Sequence, residues 1–192
     1  MNAEPQTLLV VDEELTHELK YAQALADAMV EISGRLASKI PVHEIELGHI
    51  YYKDSQEASR NWRQNVKREE INLEWWRERH NQTKRIDVSI RCRDFLCGLM
   101  LARRSRQRLC VTLRYLEGNP NSHPLKGFVM PIALIIAESF AKEYDISQVN
   151  ISRPSKGLIE RYQSFGYALD ATDKNRIKRN NKPRAKLMTK TI

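Results

Sequence analysis

The spacing of apolar side chains divides the chain into helical and strand-like stretches. Over residues 15–33, apolar side chains recur three or four positions apart, which predicts an amphipathic helix that ends near Gly34. Before this helix, residues 8–11 form a short apolar run that fits a first strand or a buried anchor. The face that we expect the helix to bury comprises Leu19, Ala22, Leu25, Ala26, Met29 and Ile32.

A polar stretch follows in which neither glycine nor proline interrupts the chain. It extends from Ser55 to His80 and predicts one long helix or two. Aromatic residues at helical spacing pack into a core more often than they line a pocket, so we expect Trp62, Trp75 and Trp76 in the core. Residues 42–52 show no clean period and fit either a strand or a loop.

The period changes to two at Ile86, where apolar and polar residues begin to alternate. This alternation predicts a strand over residues 86–92. After a turn, a more continuously apolar run predicts a return strand over 96–102. Gly98 in the return strand predicts a bulge or a close contact. A third strand over 109–116 completes an antiparallel meander.

Turn-forming residues end the third strand near Glu117, and a helical period then extends as far as Tyr144. Pro131 suits the first position of that helix, where a missing backbone N–H costs nothing. The remaining elements are expected to be a strand over 149–151, a helix from the N-cap Ser155 to Gly166, and strands over 167–171 and 185–191 joined by a basic connection.

The composition indicates one globular domain. The chain has 192 residues, of which 41% are hydrophobic and 29% charged. Its longest apolar run, residues 129–137, is interrupted by proline and is about half of the roughly 20 residues that a membrane helix needs. The N-terminus lacks the features of a secretory signal. We therefore expect a cytoplasmic protein that does not associate with membranes.

Positive charge is concentrated at the C-terminus. Of the net charge of +8, the segment from Asp173 onward carries +7. Such a segment suits nucleic acid or an acidic partner, but solvated cations need no partner, so nucleic acid is not the favoured ligand. The cations of this segment are Lys174, Arg176, Lys178, Arg179, Lys182, Arg184, Lys186 and Lys190.

No metal site is expected from the cysteines or histidines. Cys92, Cys97 and Cys110 are odd in number and lack the spacing of metal ligands, so reduced, partly buried thiols are expected. The five histidines do not cluster with acidic residues or cysteines.

The order of these elements resembles that of the GNAT superfamily of acyl-coenzyme A-dependent N-acyltransferases. The segment Arg161-Tyr162-Gln163-Ser164-Phe165-Gly166-Tyr167 is similar to the family's late signature, a tyrosine, three residues and Gly-Phe, with Tyr167 replacing the phenylalanine. The resemblance is good over residues 86–167.

The resemblance implies a single α+β domain over residues 1–192, with a mixed, mostly antiparallel twisted sheet flanked by helices. Its parts would be a mainly helical acceptor-side half over 1–85, a sheet and cofactor-side half over 86–172, and a basic C-terminal segment over 173–192 that includes a final strand.

The resemblance also implies acetyl-coenzyme A as co-substrate, with its pyrophosphate at the loop before the helix that contains Pro131. The first N–H groups of a helix have no intrahelical partner and face the positive end of its dipole, so they suit a phosphate. We expect the backbone of Lys126, Gly127, Phe128, Val129 and Met130 to provide these donors and the Lys126 side chain to add a charge.

Two features near this loop differ from the family's usual pattern of Gln or Arg, two residues, Gly, one residue, and Gly or Ala. Aligning on Gly127 puts Pro124 at the first position and Val129 at the last, where its side chain would crowd a phosphate. Ser155 stands where many family members have an asparagine that helps to hold the cofactor, although its N-cap role is the simpler interpretation.

The activity implied is transfer of an acetyl group to an amine of unknown size by direct attack in a ternary complex. Tyr162 matches the family's tyrosine acid, Glu117 is the candidate base, and His123 is an alternative base. The main alternative is a non-catalytic fold of this type that binds nucleic acid or protein through its basic segment. A homodimer is also expected, through pairing of the strand that contains Leu187 and Met188.

Overall fold

The fold was analysed in a computed structural model that describes residues 5–62, 73–80, 84–105, 107, 109–178 and 185–192. Three cations of the basic segment, Arg179, Lys182 and Arg184, lie outside these residues. Within the described residues, no helix is both long enough and apolar enough to cross a membrane.

The described residues form six α-helices and seven strands. The helices are α1 (Pro5–Leu36), α2 (Tyr52–Asn61), α3 (Trp75–His80), α4 (Val129–Glu143), α5 (Ile159–Ser164) and α6 (Ala171–Lys178), with short 3₁₀ turns at Val42–Glu44 and Lys156–Leu158. The strands are β1 (Ile45–Gly48), β2 (Arg85–Cys92), β3 (Phe95–Arg104), β4 (Val111–Gly118), β5 (Gln148–Ser152), β6 (Ala168–Leu169) and β7 (Leu187–Thr191).

The seven strands form one sheet in the order β1-β2-β3-β4-β5-β7-β6. Every pairing is antiparallel except that of β4 with β5. The expected α+β class with a mixed, mostly antiparallel sheet is therefore confirmed. The predicted meander is also confirmed, because β2, β3 and β4 are neighbours within one or two residues of their expected bounds.

Two apolar clusters stabilise the sheet. The larger one contains α1 and α4, which pack against each other, and the alternate strand residues that include Val88 and Met100. The smaller one includes Leu99 and Leu101, which point the other way from β3. Trp62 and Trp75 fill that second cluster, as expected for core residues.

Helix α1 differs from the prediction in its bounds and in its buried face. Residues 8–11 belong to this helix and not to a strand. Its buried face includes Tyr21, Ala24 and Ala28, whereas Leu19 is exposed. Alanines occur on both sides of this helix, so apolar spacing alone did not distinguish them. The Tyr21 hydroxyl donates to the Asp87 backbone oxygen at 2.7 Å, and this bond helps to orient the helix.

The C-terminal segment is also built differently from the prediction. Where strand and basic connection were expected, α6 begins at Ala171. Strand β7 lies between β5 and β6, so Met188 pairs with Ile151 on one side and Leu169 on the other. Both backbone edges of Met188 are therefore already paired within the chain, and the homodimer stays a prediction.

Candidate functional site

The site begins where β4 and β5 separate. These strands pair only over Val111–Leu113 and Val149–Ile151. The next residue of β4, Arg114, is an extra residue in the ladder with β3, since Leu101 pairs with Tyr115 and Ala102 with Leu113. A bulge of this kind bends its strand. Beyond the bulge, β4 continues to Gly118 without β5, and the strands leave a gap.

A cavity of about 640 Å³ occupies this gap and extends to the start of α4. Its wall is formed by the end of β4, the loop before α4, the end of β5 and α5. Seven of the eight candidate site residues line it, namely Glu117, Lys126, Gly127, Val129, Met130, Ser155 and Tyr162. Phe128 does not line the cavity; it packs against the larger apolar cluster.

Val129 does not crowd the loop as expected, because its side chain is seated on the sheet. Gly98 and Gly118 are cross-strand partners in β3 and β4. A methyl group added to Gly98 would lie 2.4 Å from Val129 Cγ1, and one added to Gly118 would lie 3.6 Å from Val129 Cβ. The glycine pair therefore makes the recess that receives the valine. The bulge predicted near Gly98 is present: Ile90 pairs with Gly98 and Arg91 with Leu96, so Cys97 is the extra residue.

The loop before α4 has fewer available amides than the five expected. The Lys126 N–H donates to His123 O at 3.1 Å, and the Phe128 N–H donates to Leu125 O at 2.9 Å. Pro131, which has no N–H, is the third residue of α4 rather than the first. The N–H groups that a ligand could use are thus those of Gly127, Val129 and Met130.

Gly127 has a backbone conformation that suits close approach of a ligand. Its φ is +85°, a value that residues with a Cβ rarely adopt. A Cβ built on it would meet nothing within 4 Å, so the space above this residue is open. Any side chain here would extend into the region in front of the α4 amides.

Glu117 and Tyr162 lie on opposite sides of the gap. Glu117 is near the end of β4, and its side chain is buried although it lines the cavity. Tyr162 is in α5 and is also buried, with its ring 6.5 Å from that of Tyr167 in an edge-to-face arrangement. A carboxylate and a phenol thus share one cavity.

His123, the alternative base, is held in its neutral form. Its Nδ1 accepts a hydrogen bond from the Leu125 N–H at 3.2 Å, so the ring proton is on Nε2. Burial and the nearby charge of Lys126 lower the pKa of His123 below its usual value. Because its one basic nitrogen is already an acceptor, His123 is poorly placed to take a proton.

Ser155 occupies the N-cap position of the 3₁₀ turn that precedes α5. Its ψ of 137° is that of a residue outside the turn, but its side chain makes no capping hydrogen bond. The N-cap interpretation therefore holds for the backbone and not for the hydroxyl. That hydroxyl belongs to an exposed residue that lines the cavity.

Four cations of the cavity wall, one of them Arg114 of β4, were missed by the sequence reasoning. Arg153 and Lys156 come from the connection between β5 and α5, and Arg161 comes from α5 itself. Arg161 directly precedes Tyr162, so its position in the signature was the available signal. With Lys126, these four residues make the cavity strongly cationic, against the single anion Glu117.

The cysteines are not placed for nucleophilic chemistry. Cys92 and Cys97 are buried, and burial raises the pKa of Cys97 to about 11. A thiol with such a pKa is protonated near neutral pH and is a poor nucleophile. None of the three cysteines is among the residues that line the cavity.

No protein-family profile matches the sequence, and no curated protein matches it either. Solved structures do match the fold. PaiA N-acetyltransferase from Thermoplasma acidophilum, in complex with coenzyme A, has 17% identity and a TM-score of 0.52, with 77% of this chain and 99% of that chain covered. The ribosomal-protein-S18-alanine N-acetyltransferase from Escherichia coli has 10% identity and a TM-score of 0.54, with 77% and 94% covered.

A third match is Naa50 from Arabidopsis thaliana, in complex with the bisubstrate analogue CoA-Ac-MVNAL. It has 12% identity and a TM-score of 0.52, with 78% of this chain and 99% of that chain covered. At such low identity the likeness concerns the fold. The chain therefore has the fold of the GNAT N-acetyltransferases.

Proposed function

We propose that this chain is an N-acetyltransferase that moves an acetyl group from acetyl-coenzyme A to an amine by direct attack in a ternary complex. The observation that carries this proposal is the single cavity at the separation of β4 and β5. It brings a carboxylate, a phenol and the amides at the start of α4 to one place.

The chemistry of the cavity wall fits coenzyme A. The ligand carries several phosphate charges, and the wall has five cationic side chains and one anionic one. The positive φ of Gly127 and the open space above it allow a ligand to approach the backbone N–H groups of the loop. The seating of Val129 between two glycines removes the main objection from the sequence, which was a valine in a position that usually has glycine or alanine.

Acetyl-coenzyme A would supply an acetyl group activated as a thioester, whose carbonyl carbon gains a bond to nitrogen as the bond to sulfur breaks. The chain's residues manage the protons. Glu117 accepts the proton that the attacking amine loses, directly or through water. Tyr162 donates its hydroxyl proton to the departing sulfur, since a phenol is a hydrogen-bond donor.

The placement and pKa of the cysteine thiols favour direct attack over a covalent acyl-enzyme intermediate. A covalent route needs an activated nucleophile beside the cofactor. Cys97 has a raised pKa, and the cavity-lining residues include none of the three cysteines. The amine itself is therefore the proposed nucleophile.

The first test is a thermal-shift titration with coenzyme A and acetyl-coenzyme A. A ligand that binds only the folded state stabilises it by about 2.7 kcal/mol at a concentration one hundred times its Kd. We expect a saturable rise in Tm that Gly127→Trp abolishes, since the indole would fill the open space. Gly34→Trp is the matched control, because Gly34 lies in α1 outside the cavity and its Cβ would also meet nothing within 4 Å.

Absence of a shift with either ligand, together with absence of heat in a calorimetric titration, would refute the proposal. That result would favour the non-catalytic binding module instead. If the shift is seen, an amine screen follows with Glu117→Gln and Tyr162→Phe. Each is expected to lower kcat by about a hundredfold or more while coenzyme A still binds. Unchanged kcat in both variants would contradict the assigned proton transfers.

A further inference from the structure

The cationic side chains around the cavity differ in how many of their N–H donors already make hydrogen bonds within the protein. The Lys126 ammonium donates to the backbone oxygens of Asn119 at 3.2 Å, Pro120 at 2.5 Å and Asn121 at 3.0 Å. An ammonium group has three N–H donors, and three carbonyls surround this one. The Lys126 charge therefore stabilises the turn that follows β4.

Arg161 lies across the cavity from that turn and reaches the loop from the other side. Its Nη2 donates to the backbone oxygen of Gly127. A guanidinium has five N–H donors in a planar fork, and this contact uses one of them. Arg161 is an exposed residue, and both it and Gly127 line the cavity.

The position of this contact matters because the loop has few donors of its own. Only the N–H groups of Gly127, Val129 and Met130 are available there, since the Lys126 and Phe128 amides are engaged in the turn. The Gly127 oxygen would also oppose a nearby anion, and Arg161 offsets its negative charge. Arginine suits phosphate groups because its planar fork can donate two parallel hydrogen bonds.

We propose that Arg161 binds the pyrophosphate of coenzyme A in this chain, and that Lys126 holds the loop instead of contacting the ligand. This proposal rests on the proposed function, which requires that coenzyme A binds here. It reverses the expectation from the sequence, which gave the charge contact to the lysine of the loop.

The test compares Arg161→Gln with Lys142→Gln by calorimetric titration of coenzyme A and of dephospho-coenzyme A, which keeps the pyrophosphate and lacks the 3′-phosphate. Lys142 is an exposed cation in the last turn of α4, about 20 Å along that helix from the cavity, so its replacement changes the net charge equally. We expect Arg161→Gln to weaken both ligands by about tenfold or more, and Lys142→Gln to change Kd less than about twofold.

The outcomes separate this proposal from the proposed function. If the unmodified protein binds neither ligand, the proposed function fails. If Arg161→Gln binds both ligands as tightly as the unmodified protein, or no worse than Lys142→Gln, the assignment of Arg161 is overturned while the proposed function stands. If only coenzyme A is weakened, the contact is to the 3′-phosphate and the pyrophosphate assignment is wrong.

The role of Lys126 has its own readout. Lys126→Gln is expected to lower the Tm of the ligand-free protein by a few degrees, because three carbonyls lose their donor. Arg161→Gln should leave that Tm nearly unchanged, since the residue is exposed. A Lys126→Gln variant with an unchanged Tm and tenfold weaker coenzyme A binding would overturn the division of roles.

Discussion

Val129 shows how one residue can differ from a familiar pattern without loss of the geometry around it. The side chain lies on the paired residues Gly98 and Gly118, and it is almost fully buried. The larger side chain at the start of α4 therefore fits because the two strand residues beneath it have no side chains. The three residues are separated in the sequence, and only the fold brings them together.

A methyl group at Gly98 tests this packing. Gly98→Ala would place a carbon 2.4 Å from Val129 Cγ1, so the valine or the start of α4 must move. We expect a loss of about 1–3 kcal/mol in the free energy of unfolding, measured by urea denaturation. The double variant Gly98→Ala with Val129→Ala should lose at least about 0.5 kcal/mol less than the sum of the single losses.

Gly34→Ala is the matched control for this experiment. A methyl group there meets nothing within 4 Å, and Gly34 lies within α1. Because alanine favours a helix over glycine by about 1 kcal/mol, this variant should be as stable as the unmodified protein or more so. Additive losses in the double variant would mean that Gly98 and Val129 do not share one space.

At the scale of elements, α4 connects the cavity to the C-terminal strands. Its first residue sits on β3 and β4, and farther along the helix Glu138 accepts hydrogen bonds from Tyr167 at 3.1 Å and from Lys190 of β7 at 2.7 Å. Burial and the nearby Glu138 carboxylate raise the pKa of Tyr167, so its hydroxyl remains a donor. This bond accounts for a tyrosine where the signature usually has phenylalanine.

Tyr167→Phe removes that donor and keeps the ring. We expect a loss of about 1 kcal/mol in the free energy of unfolding, because Glu138 loses one hydrogen bond but keeps the one from Lys190. Urea denaturation measures the change, and Tyr52→Phe at an exposed position serves as the control with little expected effect. Equal losses in the two variants would show that the hydrogen bond from the Tyr167 hydroxyl to Glu138 of α4 does not stabilise the fold.

At the scale of the molecule, a second polar centre lies near the opposite end of the strands from the cavity. Buried Asp87 of β2 accepts hydrogen bonds from the Ile50 N–H at 2.9 Å and from Arg79 at 2.8 Å, and it lies 3.4 Å from His49 Nδ1. Burial opposes its ionisation, but these donors outweigh burial and lower the pKa of Asp87. The hydrogen bond with Asp87 in turn raises the pKa of His49 above 6.5.

The raised pKa of His49 makes part of the stability depend on pH. A histidine whose pKa is higher in the folded state stabilises that state fully below the unfolded value of 6.5. This contribution is lost as the pH rises through the folded pKa. We therefore expect the difference in unfolding free energy between the unmodified protein and His49→Gln to be larger at pH 5.5 than at pH 8.5, measured by urea denaturation at each pH.

Two other histidines change the stability in the opposite direction with pH. Both are present in the unmodified protein and in His49→Gln. Burial lowers the pKa of His17 and of His123, so each favours folding less as the pH falls below 6.5. Taking the difference between the two proteins removes their effect. A difference that does not vary with pH would mean that folding leaves the pKa of His49 unchanged.

The sequence predicted most of the elements around the cavity and fewer of those farther away. Strands β2 and β4 alternate between apolar and polar residues, β3 is a more continuous apolar run between them, and α4 has a strong helical period. These elements were therefore predicted close to their observed bounds. The buried side of α1 was predicted only in part: Leu25 and Ile32 are buried as expected, but Leu19 is exposed, and the alanines gave no contrast between the faces. The short helix α6 was missed because its residues are mostly polar or basic and give no apolar helical period.

The candidate site residues were named from the sequence because their types and their order along the chain carry that information. What each of them does depended on contacts between residues far apart in the chain. Three carbonyls from a neighbouring turn engage the ammonium of Lys126, and α5 brings Arg161 to Gly127. The sequence by itself determined the order of the central elements from β2 to α5, the charge and the candidate chemistry, which are local properties. Only the tertiary structure decided which cations face the cavity, because that depends on how separate elements pack.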